Sequence, residues 1–221
     1  MEVLRALAPQ FECTTGHHLS AGYDPTNAIK RQIEDGAVFD VAIVTRLVLD
    51  DLTQQGIIAP DTRANIARCG LGIAVRKGAP KPDIGTTEAF ARTMLAATSV
   101  VRSTEGASGI HFEQLLRRLG IADQMKDKIR LGQSGRVAEL VARGEAEIAV
   151  QQISELLPVA GTDFVGPLPP DLQLFTVFAA GVNTSSTNPA AAKALIDLLI
   201  APATAALFTA GGLKPLACGA R

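Results

Sequence analysis

Apolar residues recur along the chain with two periods, and these periods predict helices that alternate with short strands. Segments with apolar residues three or four positions apart predict helices, and most of them stop at a glycine. The predicted helices cover residues 3–14, 27–34, 47–55, 86–96, 108–119 and 134–143, with two more after Asn188. The predicted strands cover residues 18–23, 39–44, 69–75, 99–102, 129–131, 147–150 and 174–181. This alternation predicts an α/β fold with a mostly parallel sheet.

The end of the chain carries the clearest helix signals. Asn188 can cap a helix, and Pro189 suits its first turn, where a backbone N–H has no partner within the helix. Apolar residues then follow at helical spacing, and a second short helix ends at Gly211 and Gly212. We therefore expect two packed helices after residue 188.

The composition describes a folded chain with an almost neutral surface. Of the 221 residues, 47% are hydrophobic and 19% are charged, and the formal net charge is −1. These values argue against disorder and against a basic surface for nucleic acid. No apolar run in the sequence is long enough to cross a bilayer. We expect neither nucleic-acid binding nor membrane insertion.

The cysteines and histidines form no familiar metal or redox motif. The cysteines, whose spacing fits neither a zinc site nor a C-x-x-C pair, are Cys13, Cys69 and Cys218. The histidines, which belong to no H-E-x-x-H run, are His17, His18 and His111. We expect no bound metal ion and no cofactor.

Several segments, together with the paired terminal helices, resemble those of type II periplasmic solute-binding proteins of the molybdate-binding-like branch. They are Gln32–Ile43 with its Q-I-E-x-G pattern, Leu71–Gly78, Leu116–Gly120 and Leu140–Val150. The resemblance implies an α/β fold with two lobes and two hinge strands. The family's usual first strand and its serine-bearing loop have no counterpart here, so we expect that strand to be missing.

The same resemblance implies how the chain is divided. Lobe one would hold residues 1–78 and 179–221, and lobe two would hold residues 79–178. The hinge would lie near Val75–Ala79 and Thr176–Ala180. Ligands of such sheets bind beyond the carboxyl ends of strands, next to helix N-termini that favour anions.

Two loops before predicted helices are the first candidates for the site. Thr26 and Asn27 could cap the helix 27–34 or offer a hydroxyl and an amide to a ligand. The loop 102–111 is rich in Gly and Ser, and its backbone N–H groups could hold an oxyanion. A loop of this kind also occurs with no ligand. The candidates here are Thr26, Asn27, Arg102, Ser103, Ser108 and Gly109.

Two further loops complete the predicted site. The resemblance places Ser134, in the loop with Gly135, as a second backbone donor beside Ser108. It also places Gln152, which follows Gln151 at a strand end, where molybdate-binding proteins often carry Tyr. An amide both donates and accepts hydrogen bonds, so this exchange suggests a carboxylate rather than a bare tetrahedral oxyanion. Paired glutamines are otherwise ordinary surface residues.

The leading hypothesis for function is a solute-binding protein of an ABC transporter. It would close two lobes around a small anionic ligand in the interlobe cleft, and a membrane permease would read that closure. We expect a monomer. The location would be periplasmic if a signal peptide precedes Met1, and cytoplasmic if Met1 is the true start.

Two alternatives stay open. Aconitate isomerase resembles the same branch, yet it shifts a double bond within a tricarboxylate. In such an enzyme His111 or Glu105 could move the proton, and Arg102 could hold a carboxylate. The second alternative is a cytoplasmic ligand sensor.

Overall fold

The computed structural model describes residues 2–216, so predictions that concern Met1 and Cys218 lie outside the described residues. The chain divides into two compact units. Unit 1 runs to Arg68 and resumes at Thr176, and unit 2 is Cys69–Phe175. The predicted lobes differ from these units by placing residues 69–78 and 176–178 on the other side of the division. The predicted lobe borders stay a prediction.

The helices and strands are numbered separately in chain order. The helices are α1 (Glu2–Thr15), α2 (Thr26–Glu34), α3 (Arg46–Gln54), α4 (Thr87–Ala96), α5 (Ala107–Arg118), α6 (Ala122–Met125), α7 (Val137–Ala142), α8 (Ile153–Leu156), α9 (Pro189–Ile200) and α10 (Ala205–Ala210). The strands are β1 (Val41–Thr45), β2 (Ala64–Cys69), β3 (Leu71–Arg76), β4 (Val100–Ser103), β5 (Ile129–Gly132), β6 (Ile148–Gln152), β7 (Thr162–Pro167), β8 (Thr176–Val182) and β9 (Lys214–Pro215).

Unit 1 is a sheet in the order β1-β8-β2-β9 with helices on both faces. Strand β1 is antiparallel to β8, and β2 is antiparallel to β9. Because strand side chains alternate, Ala42 and Val44 pack with Leu49 of α3 on one face. The other face packs with α1 and α9 through residues such as Leu7 and Leu195. The two terminal helices are therefore part of the core of unit 1.

Unit 2 is a five-stranded sheet in the order β5-β4-β6-β3-β7. Strand β4 is parallel to both β5 and β6, whereas β3 is antiparallel to β6 and β7. On one face, Phe90 of α4 meets Phe112 of α5 edge to face, with ring centroids 6.4 Å apart. On the other face, α7 buries Val137 and Val141 against Val101 of β4. Because β4 is parallel to both β5 and β6, the carboxyl ends of these three strands lie side by side.

Most predicted elements are confirmed within a few residues, but the mostly parallel sheet is wrong. Apolar runs do not reveal strand direction: β3 runs antiparallel to β6 and β7, and β8 runs antiparallel to β1. The strand predicted at residues 69–75 is also wrong in its extent. The prediction covers most of β3 and only the last residue of β2, and the rest of β2 was not predicted as a strand.

Three other local predictions are corrected. Residues 18–23, all of which the structure describes, form no strand, because only Leu19 among them is even half-buried and no apolar face can form. Strand β7 was not predicted, because its Gly166 and Pro167 weaken the strand signal; β7 lies at a sheet edge, where proline is tolerated. Helix α7 begins at Val137 rather than at residue 134. Gly135 has φ +82°, which interrupts helical geometry.

The helices were also compared with the length needed to cross a membrane. Over residues 2–216, no single helix is long and apolar enough to do so. The pair Pro189–Ile200 and Pro202–Ala210 meets the requirement of length and composition only when taken together, and it bends by 58°.

Candidate functional site

Two buried polar side chains lie at the carboxyl ends of neighbouring strands in the sheet of unit 2. Val101 of β4 is paired with Ala149 of β6 in a parallel ladder. Ser103 and Gln151 each lie two residues further along, so their side chains leave the same face of the sheet. Ser103 is 1% exposed and Gln151 is 0% exposed. A hydroxyl and an amide are therefore held together inside unit 2.

These two side chains are poorly satisfied by the protein. Within residues 2–216, Ser103 Oγ and both polar atoms of the Gln151 amide lack a hydrogen-bond partner of good geometry, and the Gln151 amide has only a weak interaction with the Glu155 carboxyl. An unsatisfied buried polar group costs about 1–3 kcal/mol of stability. Buried polar groups of folded proteins normally have partners. Ser103 and Gln151 therefore depart from the usual rule for buried polar groups.

Two glycines let the chain pass unusually close to Ser103. A Cβ built on Gly109 would lie 2.0 Å from the Ser103 carbonyl oxygen. A Cβ built on Gly106 would lie 2.5 Å from Ser103 Oγ and 3.0 Å from Ser134 Oγ. Any larger residue at these positions would displace backbone or the Ser103 side chain. The loops after β4 and β5 therefore converge, and they bring Ser103, Gly109 and Ser134 together.

The start of α5 adds a favourable electrostatic environment. Gly106 is its N-cap residue and supplies no side-chain cap. The first N–H groups of a 12-residue helix have no partner within the helix, and they carry the positive end of its dipole. Ser108 in this first turn is buried. The end of α5 beside Ser103 is consequently suited to an anion.

The loop before α7 is a tight turn rather than the first turn of a helix. Arg136 N–H donates to the carbonyl of Gln133 at 3.0 Å. The guanidinium of Arg136 is exposed and holds Glu139 with two hydrogen bonds from Nε and one from Nη2. Ser134 and Gly135 therefore lie in a turn that faces Gly106, while Arg136 is engaged on the surface.

Arg102 lies apart from the buried polar pair. It is adjacent to Ser103 on β4, so its side chain leaves the opposite face of the sheet. Its guanidinium donates to Glu113 Oε2 at 2.8 Å and to the Ser103 carbonyl at 3.0 Å. The structure gives Arg102 a structural partner, and its role as a ligand-binding residue stays a prediction.

The end of β6 carries a second group of polar residues. Gln152 is half-buried and is the N-cap residue of α8. The thiol of Cys69 donates to Ser154 Oγ at 3.3 Å, and burial raises its pKa. Burial also raises the pKa of Glu155, while the Gln151 amide opposes that rise. A carboxyl group whose pKa is raised by burial therefore lies beside the buried amide.

Thr26 and Asn27 belong to unit 1, at the start of α2. Pro25, which is the N-cap residue of α2, offers no side-chain cap. Thr26 is the first residue of that helix, so neither Thr26 nor Asn27 is its cap. Their role in ligand binding stays a prediction.

The two residues proposed for proton transfer lie in the loop and the helix that follow β4. His111 Nε2 lies 2.9 Å from the carbonyl oxygen of Leu172. Glu105 is exposed in the loop before α5. Across the described part of the chain, no three or more His, Cys, Asp or Glu side chains are grouped to hold a metal ion.

Two residues near the site were not among the sequence candidates. Gly106 is needed for the close approach to Ser103, and the Gly/Ser-rich composition of its loop was the available signal. Glu155 follows Gln151 by four residues, just after β6 passes into α8. A carboxyl so close after a strand end could have been noticed, but its partial burial could not be inferred from the sequence.

Comparison with known protein families assigns the chain to one of them. It matches the family of bacterial extracellular solute-binding proteins over residues 1–214 and is a member of that family. The resemblance to the molybdate-binding-like branch is confirmed.

Individual relatives fall into two functional groups. The chain is 34% identical to an aconitate isomerase of Pseudomonas sp over 98% of this chain and 84% of that protein. It is 26% identical to the molybdate-binding protein ModA of Azotobacter vinelandii over 95% of this chain and 84% of that protein. The solved structure of the periplasmic molybdate-binding protein of Azotobacter vinelandii superposes with a TM-score of 0.77 and 21% identity, covering 96% and 94% of the two chains. The type II periplasmic-binding-protein fold predicted from the sequence is confirmed.

Proposed function

We propose that this protein binds a small anion, most favourably a carboxylate, at the ends of β4 and β6 in unit 2. The single observation that carries the proposal is the buried pair of Ser103 and Gln151, whose polar atoms lack good hydrogen bonds within the described residues. The adjacent start of α5 favours negative charge. The amide of Gln151 can donate to a carboxylate oxygen and accept from a ligand hydroxyl.

The biological role that we propose is delivery of this anion to an ABC permease from the periplasm. Membership of an extracellular solute-binding family supports this role. The ligand would be held by neutral donors and a helix terminus rather than by a cation. Binding would then use Ser103, Ser108, Gly109 and Ser134, with Gln151 and Gln152 at the second strand end.

Ligand-induced thermal stabilisation tests the proposal directly. The purified chain would be heated with molybdate, sulfate, phosphate, malate, citrate and trans-aconitate in separate samples. A ligand at 100 times its Kd stabilises a protein by about 2.7 kcal/mol, or roughly 5–10 °C for a chain of this size. Gln151→Leu should abolish the shift, while Gln124→Leu, an exposed glutamine on α6, should retain it. Failure of every anion to stabilise the native protein would overturn the proposal.

An isomerase acting on a tricarboxylate is the second candidate, and the 34% identity to an aconitate isomerase favours it. Such a reaction moves one proton from a methylene carbon to the other end of the double bond, with no net gain or loss of atoms. Absorbance of trans-aconitate in the ultraviolet would report turnover. Turnover that disappears in His111→Ala or Glu105→Gln would assign the proton transfer, and no turnover at high protein concentration would remove this candidate.

A further inference from the structure

The carboxyl group of Glu155 lies at the end of the strand that carries Gln151. Helix α8 follows β6 directly, and Glu155 lies in α8, four residues after Gln151 of the strand. Its side chain is half-buried, and the Gln151 amide is close enough to lower its pKa. Glu155 therefore borders the buried amide that the proposed function assigns to the ligand.

Backbone and side-chain contacts fix the start of α8. Ile153 N–H donates to the carbonyl of Gly70 at 3.0 Å, and Ser154 N–H donates to the Cys69 sulfur at 3.4 Å. The preceding residue, Gln152, is paired with Leu71 in the ladder of β3 and β6. The position of Glu155 is consequently set by the sheet and not by a mobile surface segment.

The three strands that pack against α8 place no cation near Glu155. Helix α8 packs against β3, β6 and β7. Strand β6 has no ionisable side chain, and the charged residues of the other two strands are Arg76 and Asp163. Both lie near the opposite end of β3 from Leu71, about 13–17 Å along the strand. The nearby Cys69 thiol would be an anion if ionised, and the two acidic groups disfavour each other's charge.

An anion at Ser103 and Gln151 would add a further negative charge to these surroundings. A negative ligand disfavours an ionised carboxylate nearby and favours its neutral acid. The neutral acid has an O–H that can donate to a carboxylate oxygen or to the amide oxygen of Gln151. The added negative charge and this hydrogen bond both favour the neutral form of Glu155.

We propose that Glu155 enters the ligand complex as a neutral carboxylic acid, so that binding of the anion takes up one proton. This inference rests on the proposed function, since it requires an anion at the same strand end. Affinity would then fall as the pH rises above the pKa of Glu155 in the free protein. The limit of this effect is tenfold for each pH unit.

Titration calorimetry with trans-aconitate tests this linkage. At one pH, the observed binding heat of the native protein should vary with the ionisation enthalpy of the buffer, in proportion to the protons taken up. The Kd would also be measured from pH 5.5 to 8.5 for the native protein, Glu155→Gln and the control Asp123→Asn. Asp123 is an exposed carboxylate of α6 in the same unit.

The expected result is a smaller pH dependence in Glu155→Gln than in both the native protein and the control. Titration of the ligand itself affects all three proteins equally and cancels in the comparison. Equal pH dependence in the three proteins, or a buffer-independent heat, would overturn the proton linkage while leaving anion binding intact. If neither trans-aconitate nor any other tested anion bound the native protein, the proposed function would fail, and this inference with it. The buffer comparison needs only the native chain, so it stands even if Glu155→Gln does not fold.

Discussion

Ser103 and Gln151 occupy equivalent positions on neighbouring parallel strands, each two residues beyond the paired Val101 and Ala149. Both are buried, and both present polar atoms that find no good partner within the described residues. If these two positions served only to stabilise the fold, apolar residues would be favoured there, because unsatisfied polar atoms lower stability. In the proposed function, a ligand bound at these strand ends would supply the missing hydrogen bonds.

Replacing Ser103 by Ala should separate stability from binding. Loss of an unsatisfied hydroxyl should leave the free energy of unfolding unchanged or raise it by up to about 1 kcal/mol. Anion affinity should fall about 3- to 10-fold because one hydrogen bond to the ligand is lost. Urea unfolding and calorimetry would measure the two effects.

Thr204 provides the matched control for Ser103. Its buried hydroxyl donates to the carbonyls of Leu199 and Ala201, at 3.1 and 2.7 Å. Thr204→Val should therefore lower stability by about 1 kcal/mol and leave affinity unchanged. A similar loss of stability in Ser103→Ala would show that the Ser103 hydroxyl has a partner in the free protein.

Replacing Gly109 by Ala should be strongly destabilising. The added Cβ would meet the Ser103 carbonyl at 2.0 Å, so the start of α5 or the end of β4 must move. We expect a loss of at least about 2 kcal/mol in the free energy of unfolding, measured by urea denaturation. Gly22→Ala is the control, because nothing lies within 4 Å of the Cβ that it would add. Equal stability of the two variants would contradict the close approach at Ser103.

The stability of Glu155→Gln should depend on pH in a defined direction. Burial raises the pKa of Glu155 above that of the unfolded chain, so its contribution is fully favourable only below the unfolded pKa. That contribution is lost as the pH rises through the folded pKa. The variant should therefore gain melting temperature over the native protein at neutral pH, and the gain should vanish near pH 4. A pH-independent difference between the melting curves would argue against a buried, titrating Glu155.

Arg102→Met tests whether Arg102 serves the ligand or the fold. The variant removes the ion pair with Glu113, which is partly exposed, so stability should fall by about 0.5–1 kcal/mol. Because Arg102 leaves the opposite face from Ser103, anion affinity should change less than twofold. A loss of affinity of tenfold or more would show that Arg102 binds the ligand, as predicted from the sequence.

The sequence predicted local elements well because helical period and glycine stops are local signals. Helix α5, for example, was placed within about one residue at each end. Strand direction was predicted wrongly, since the runs that became β3 and β8 look the same in either direction. Residues 18–23 failed as a strand because a few apolar letters do not establish a buried face.

The candidate site was predicted only in part, for a comparable reason. The Gly/Ser-rich loop and the glutamines at a strand end were visible in the sequence, and the structure shows that Ser103, Gly109, Ser134 and Gln151 lie at one edge of the sheet. The alternation along β4 separates Arg102 from Ser103, which no composition argument could decide. The burial of Glu155 depends on how α8 packs on the sheet, and that information is not local.

The side chain of Gln173 forms hydrogen bonds between the two ends of unit 2. Gln173 accepts from Leu71 N–H at 2.6 Å and donates to the Leu71 carbonyl at 3.0 Å, so entry and exit of the segment lie side by side. A gene fragment for residues 69–175 would thus encode an uninterrupted body whose termini already meet. Unit 1, by contrast, is encoded by two separate segments of the chain. Residues 69–175 are therefore the natural segment to transplant, permute or exchange between homologues.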